Sequence, residues 1–273
     1  MAQQVVPWVL IRLGQSVLAI ESSSVREMLL LPHTTGVPNA GPEVRGVVTL
    51  RDRAIAVVDL RKLLGMPSLL EDADALNATL EQRAEDHRRW VDELASSVTD
   101  RREFKLTLDP HQCAFGKWYD AFRSTSVVLE SHLKRFDQPH KAIHALGATV
   151  ADLVRQGRAA DAHALIDHAR STTLATLMQL FDETPKILAE MNREMLIVLC
   201  DGDHIISITA DAVESVEAVS AESIEPIQVP RAAYGGTCVV LQTARTVKTD
   251  MLTLILDAKA LLGQFSNVAE LAA

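Results

Sequence analysis

Between Asp72 and about Arg193 the spacing of apolar residues changes from two to three or four, and β-branched runs give way to Ala, Leu, Arg and Glu. A long helical stretch therefore sits between two strand-like ones, which predicts an α+β, multidomain chain. Breaks near Asp100 to Asp109, at Asp137-Gln138-Pro139 and at Gly157 divide the stretch into four long helices with short connections. That is the pattern of an antiparallel four-helix bundle. Pro185 predicts a kink or an end near Glu183, although Ile187 and Met191 continue the apolar stripe.

The two flanks echo each other. Val5 to Leu13, the turn Gly14-Gln15 and Ser16 to Ile20 read as one hairpin; Gly46 to Leu50, the polar turn Arg51-Asp52-Arg53 and Ala54 to Val58 read as a second. Asp59 then caps a short helix from Leu60 to Leu64, stopped by Gly65. After Met195, Leu196 to Cys200 and His204 to Ile208 form a hairpin around the Asp-Gly turn of Asp201-Gly202-Asp203. Val9 to Leu13 matches Ile197 to Cys200 in position, and Ala56 to Gly65 parallels Leu254 to Gly263. The simplest account is one domain of two similar small β-barrels, residues 1–68 and 193–273, interrupted by a bundle at 69–192. A bundle suits such an insertion because its first and last helices end side by side.

At 273 residues and 48% hydrophobic the chain can bury a substantial core. Its formal net charge of −9 disfavours nucleic-acid binding, so proteins are the expected partners. Neither a basic segment ahead of an apolar stretch nor an 18-residue apolar run occurs, so no signal peptide and no membrane span are expected, and the expected location is cytoplasmic. Of three cysteines, Cys200 and Cys238 lie in apolar strand-like runs, where a small buried thiol is the ordinary role.

Cys113 differs. It stands in His111-Gln-Cys-Ala-Phe-Gly-Lys-Trp-Tyr119, beside Gly116 and the aromatic residues Phe115 and Trp118. Upstream lies His87-Arg-Arg-Trp90, with 22 residues between Trp90 and Cys113; downstream lies His140-Lys-Ala-Ile-His144, with 21 residues between Trp118 and His140. A lone His or Cys is usually a surface group or a core filler. Here Ala73, Leu76, Leu80 and Ala84 before His87, and Val91, Leu94 and Val98 after it, place the ring in an apolar seam. His140 and His144 are about 40° apart on one helix face, a spacing that lets both rings reach one ion, and Gly147, Ala151 and Val154 continue that face inward. Three nitrogens and one sulfur suit tetrahedral Zn²⁺ in a closed site without a vacant position for substrate water. His163 and His168, about 140° apart, cannot share an ion, and His33, His111, His132 and His204 read as ordinary with them. A zinc hydrolase is the competing reading, but Lys141-Ala142-Ile143 between the paired histidines offers no Glu where HExxH enzymes carry their base.

The set HxxW, CxFGxWY and HxxxH at these separations resembles the chemoreceptor zinc-binding family over about residues 73 to 190. The resemblance implies zinc held by His87, Cys113, His140 and His144, surrounded by Trp90, Phe115, Gly116 and Trp118, in a domain that senses zinc or reactive chlorine oxidants. Cys113 is then the expected redox switch, since a zinc-held thiolate is nucleophilic at neutral pH. The stretch from Val37 to Arg61 resembles the CheW family of chemotaxis coupling proteins, and Tyr234-Gly-Gly through Gly263 resembles that family's second half, together about residues 5 to 67 and 193 to 263. This likeness implies two five-stranded barrels that join the cytoplasmic tip of a chemoreceptor to a histidine kinase regulatory domain. Arg51 falls on the family's Arg in its Leu-Arg-Gly turn and is the candidate partner-binding residue, while Asp52 stands where Gly is usual. The expectation is a non-catalytic signalling adaptor with a sensory zinc site, with self-association through the bundle as a further contact. An adaptor with purely structural zinc is the duller alternative.

Overall fold

The computed structural model describes residues 7–124, 126–227 and 239–265; Val5, the Tyr234-Gly-Gly stretch and Cys238 lie outside the described residues. The chain divides into two compact units, one of residues 1–71 with 192–273 and one of residues 72–191.

The first unit opens with β1 (Pro7–Leu13), β2 (Ser16–Glu21), β3 (Val25–Leu30), β4 (Val44–Leu50), β5 (Arg53–Val58) and the short helix α1 (Leu60–Leu63). The helical stretch follows as α2 (Leu69–Thr99), α3 (Ala114–Ala121), α4 (Val127–Lys134), α5 (Asp137–Arg155), α6 (Ala159–Ala169) and α7 (Ala175–Met191). Then come β6 (Met195–Asp201), β7 (His204–Ala210), β8 (Ala212–Ala218), β9 (Glu225–Pro226), β10 (Val240–Arg245), β11 (Leu252–Leu256) and α8 (Ala258–Phe265).

Strands from both ends of the sequence share each sheet. Among the described residues one sheet has the order β8-β1-β2-β11-β10-β9 and the other β3-β6-β7-β5-β4, six and five strands where five and five were expected. Each sheet is joined by one parallel pair, Leu254 opposite Leu18 and Val57 opposite Ser207, and by one antiparallel pair, β1 with β8 and β3 with β6. Burial explains the exchange. Val9, Ile11, Leu13, Leu18 and Ile20 pack with Ile197, Leu199, Ile206, Ile208, Leu261 and Phe265 in one core. Each fully buried aliphatic side chain there is worth about 1.5 to 3 kcal/mol, which a separate half would forgo.

Helix α1 starts where Asp59 accepts from the Lys62 amide at 3.0 Å, and α8 starts in the same way with Asp257 accepting from Ala260 at 3.0 Å. Gly65, at φ +74°, ends the first helix, but Gly263 lies inside the second and is no stop. The β4–β5 hairpin turns on Arg51 and Asp52, at φ +51° and +63°. Two consecutive left-handed residues make the hairpin turn that matches strand twist, and Asp tolerates that region better than Arg does.

The helical unit holds six helices among the described residues, where four were expected. Phe122 to Ser124, with Ser126 as the cap of α4, interrupt the second expected helix, and Asp137-Gln138-Pro139 is the first turn of α5 and no break. Proline is tolerated there because first-turn amides have no partner within the helix. Gly157, at φ +76°, does separate α5 from α6, and one π-helical turn at Arg170–Leu174 leads into α7. Pro185 lies within α7, which runs on to Met191 without ending near Glu183. Phe115, Phe136, Ile143, Ile166 and Leu177 are almost fully buried in the core of this unit. Among the described residues no helix is long and apolar enough to cross a membrane.

Candidate metal centre

His87 comes from the buried face of α2, Cys113 from the residue that caps α3, and His140 with His144 from the buried face of α5. Their ligand atoms all lie within 4.8 Å of one another. Tetrahedral ligands about 2.0 to 2.3 Å from one zinc ion lie within roughly 4 Å of each other, so the group is close to a ligand set. The α5 face differs in one respect from the expected one. Ile143, Leu146, Gly147 and Val150 continue it inward, while Ala151 and Val154 are exposed. At about 100° per residue Ala151 and Val154 stand only about 20° and 40° from His140 around the helix, so angular position alone does not account for their exposure, and both lie in the last two turns of α5 before its end at Arg155.

Each ring is held by a group that fixes its chemistry. His87 Nδ1 lies 2.7 Å from the Arg83 carbonyl, and His144 Nδ1 lies 3.2 Å from the Thr107 carbonyl. A carbonyl only accepts, so in both rings Nδ1 carries the hydrogen and Nε2 presents its lone pair. Those two Nε2 atoms are buried and have no hydrogen-bond partner. His140 Nε2 lies 3.2 Å from Cys113 Sγ. Burial pushes His140 down to about 3, with further lowering from His87 and His144, and pushes His144 down to about 4, with His87 adding to it. His87 is lowered by burial as well. The rings are therefore neutral at physiological pH, the form in which imidazole binds a metal.

Cys113 Sγ accepts from the Gly116 amide at 3.1 Å and is 3.3 Å from the Pro110 carbonyl. Burial pushes the thiol up, and the Gly116 and Phe115 amides pull it back. An unpartnered pair of imidazole nitrogens facing a thiol that amides at a helix start can hold as thiolate suits Zn²⁺, for which N and S donors are the usual set.

The neighbouring residues differ in what they do. A Cβ at Gly116 would stand 1.8 Å from the Pro110 carbonyl oxygen, so only glycine fits where α3 begins against the preceding loop. Phe115 packs edge-on to His140 at 4.9 Å between centroids, and Trp90 lies 5.1 Å from His144. Trp118 packs at a tilt against Phe115 and Phe122, at 5.7 and 4.8 Å between ring centroids. The Arg83 and Thr107 carbonyls are not legible in the sequence, because backbone acceptors leave no residue-type signature; only the first could have been found, since a helical carbonyl always lies four residues before a side chain such as His87. His132, which reads as ordinary in the sequence, is a buried core histidine whose Nε2 reaches Thr184 Oγ1 at 2.9 Å and the Leu180 carbonyl at 3.0 Å. His111 is exposed and lies 2.8 Å from Asp120. Cys200 is half-buried. Arg51 is largely exposed in the other unit and pairs with Glu27 at 2.9 Å.

Two family models match in succession: the CheW-like domain over residues 7–84 and the chemoreceptor zinc-binding domain over residues 87–151. No curated protein matches the chain. Among solved structures, the scaffolding protein TtCheW from Thermoanaerobacter tengcongensis aligns at 13% identity and a TM-score of 0.42, over 93% of this chain and 89% of that one. The chain carries a CheW-like domain followed along the sequence by a chemoreceptor zinc-binding domain.

Proposed function

We propose that the protein is a non-catalytic chemotaxis adaptor in which His87, Cys113, His140 and His144 hold one Zn²⁺, and in which oxidation of Cys113 changes the adaptor's output. The observation that carries the zinc reading is the pair of buried Nε2 atoms without partners inside a group of four ligand-type side chains. Leaving two buried acceptors unsatisfied costs about 1 to 3 kcal/mol each, and a shared ion removes that cost. The two family matches support the adaptor reading, and the strands on both sides of the helical unit belong to the same sheets. That continuity supports reading residues 69–192 as an insertion between the halves 1–68 and 193–273.

Bound zinc supplies a Lewis acid that keeps the sulfur as thiolate. The Gly116 amide holds that sulfur in place, and the neutral rings of His87, His140 and His144 complete the set. Attack of the Cys113 thiolate on hypochlorous acid forms the S–O bond of a sulfenic acid and releases chloride, so sulfur is oxidised and chlorine reduced. A sulfenic acid is a weaker ligand than a thiolate, so α2, α3 and α5 lose their common anchor. In the β unit Arg51 contacts the chemoreceptor tip or the kinase regulatory domain, and a second copy of the chain associates through the helical unit.

Metal analysis of the purified protein tests the first step: one zinc per chain is expected, and Cys113→Ser or His140→Ala should lower it toward zero. Limiting hypochlorous acid should then oxidise Cys113 before Cys200 or Cys238, read by mass spectrometry. Zinc-free protein purified without chelators would sink the metal reading, and earlier oxidation of Cys200 or Cys238 would sink the switch. Arg51→Ala should weaken capture of a chemoreceptor tip or kinase regulatory domain, and an unchanged affinity removes that residue from the interface.

A further inference from the structure

The Thr107 carbonyl accepts two hydrogen bonds, one from Trp90 Nε1 at 2.9 Å and one from His144 Nδ1 at 3.2 Å. A carbonyl oxygen has two lone pairs, and here both are used by the metal-site side. Thr107 belongs to the segment between α2 and α3, whose neighbouring side chains Leu106 and Leu108 are 44% and 42% exposed. Apolar burial of those two leucines is therefore incomplete, and the carbonyl is a main tie of this segment to the core. Its second tie is shape. A Cβ at Gly147 would stand 2.3 Å from Leu108 Cδ2 and 3.2 Å from the Trp90 ring, so the bare backbone of α5 leaves a notch that both side chains fill. Beside them a cavity of about 400 Å³, lined by Trp90, Leu106, Thr107, Gln112, Cys113 and His144, gives the segment room to move.

We infer that Trp90 is a positioning residue for His144: its indole N–H pins the Thr107 carbonyl where it selects the tautomer that presents Nε2. This rests on the zinc reading above for its consequence, though not for its geometry. Without the indole N–H, the carbonyl is held by His144 alone. The segment then drifts into the adjoining cavity, and the ring is free to carry its hydrogen on Nε2, which blocks that nitrogen as a ligand. Outer hydrogen bonds of this kind typically govern metal affinity by 10- to 100-fold.

The test is long-range ¹H–¹⁵N NMR of the imidazoles in metal-free protein, with zinc affinity measured separately by chelator competition. Wild type should hold His144 with the hydrogen on Nδ1. Trp90→Phe should give a mixture of tautomers and bind zinc about 10- to 100-fold more weakly. Phe104→Leu thins the packing against the indole, whose ring centroid is 5.0 Å from that of Phe104, yet leaves both hydrogen bonds intact. It should keep the wild-type tautomer. If Trp90→Phe does not fold, Gly147→Ala serves instead, because it keeps the indole and forces Leu108 out of the notch, and it too should mix the tautomers. A folded Trp90→Phe with the wild-type tautomer and affinity overturns the inference. So does Gly147→Ala in the same state, or a Phe104→Leu that mixes the tautomers equally. A wild type that takes up no zinc defeats the zinc reading alone, since the tautomer is measured without metal.

Discussion

Each unit holds a set of buried titratable groups, and the two sets differ in whether their members satisfy one another. In the β unit Arg61 donates from Nε and Nη2 to the two oxygens of Asp211, at 2.6 Å each, and from Nη1 to the Pro67 carbonyl at 3.2 Å. Asp211 also accepts from the Gly14 amide at 2.7 Å. Arg45 binds Glu194 and lies 3.9 Å from Asp59, and burial raises Glu194 against the pull of that arginine. Every charge in these sets faces an opposite one. In the metal centre of the helical unit three buried imidazoles face each other and a thiol, and the Nε2 atoms of His87 and His144 have no hydrogen-bond partner. A closed network of buried charges holds a fold together, whereas an open set of neutral lone-pair acceptors is built for something that arrives later.

The largest effect that tests this contrast is Arg61→Ala. Removing one partner of a buried ion pair strands the other, so the β unit should lose about 3 to 5 kcal/mol, read by chemical denaturation. A loss under about 1 kcal/mol would mean that the set is not closed in the sense argued. Next comes zinc itself. At a free concentration 100-fold above its Kd, an ion that binds only the folded state adds about 2.7 kcal/mol to the helical unit. Residue-resolved hydrogen exchange should place that gain in α2, α3 and α5 and leave β1 to β11 unchanged; an equal gain in the β strands would break the comparison.

Acidity gives a smaller effect per step. The folded rings of His140 and His144 titrate at about 3 and about 4, while the unfolded chain takes up those protons near 6.5. Below about 6.5 the unfolded state therefore binds more protons, and stability falls with falling pH by up to about 1.4 kcal/mol per unit for each ring. Metal-free protein should lose melting temperature between about pH 6.5 and 4, and His144→Phe should flatten the slope; a pH-independent melting temperature rejects the buried neutral rings. The smallest effect lies outside both networks. Arg101 ends α2 at φ +54°, with the Arg102 amide bonded to the Ser97 carbonyl at 3.0 Å, a position that favours glycine. Arg101→Gly should stabilise the helical unit by about 0.5 to 1 kcal/mol in denaturant melts, and a destabilised variant would place the strain elsewhere.

The sequence by itself determined what depends on near neighbours along the chain. Helical period and strand period separate Asp72 to Arg193 from its flanks, Asp59 marks a helix start, and His140 with His144 share a face because four residues make about one turn. The tertiary structure alone decided matters settled by distant partners. Strands β3 and β8 are not marked in the sequence because each is a sheet edge that mixes charge and apolar surface: β3 exposes Arg26, Met28 and Leu30 beside half-buried Glu27, and β8 exposes Glu214 and Val216 beside half-buried Glu217, so the clean apolar alternation of a central strand is missing. The exchange of strands between the sheets, the true inward face of α5, and the choice of Nε2 on His87 and His144 likewise needed the folded chain. Each is set by a contact with backbone or with a remote core, and a backbone carbonyl such as that of Thr107 is the same group in every residue, so no letter of the sequence marks it.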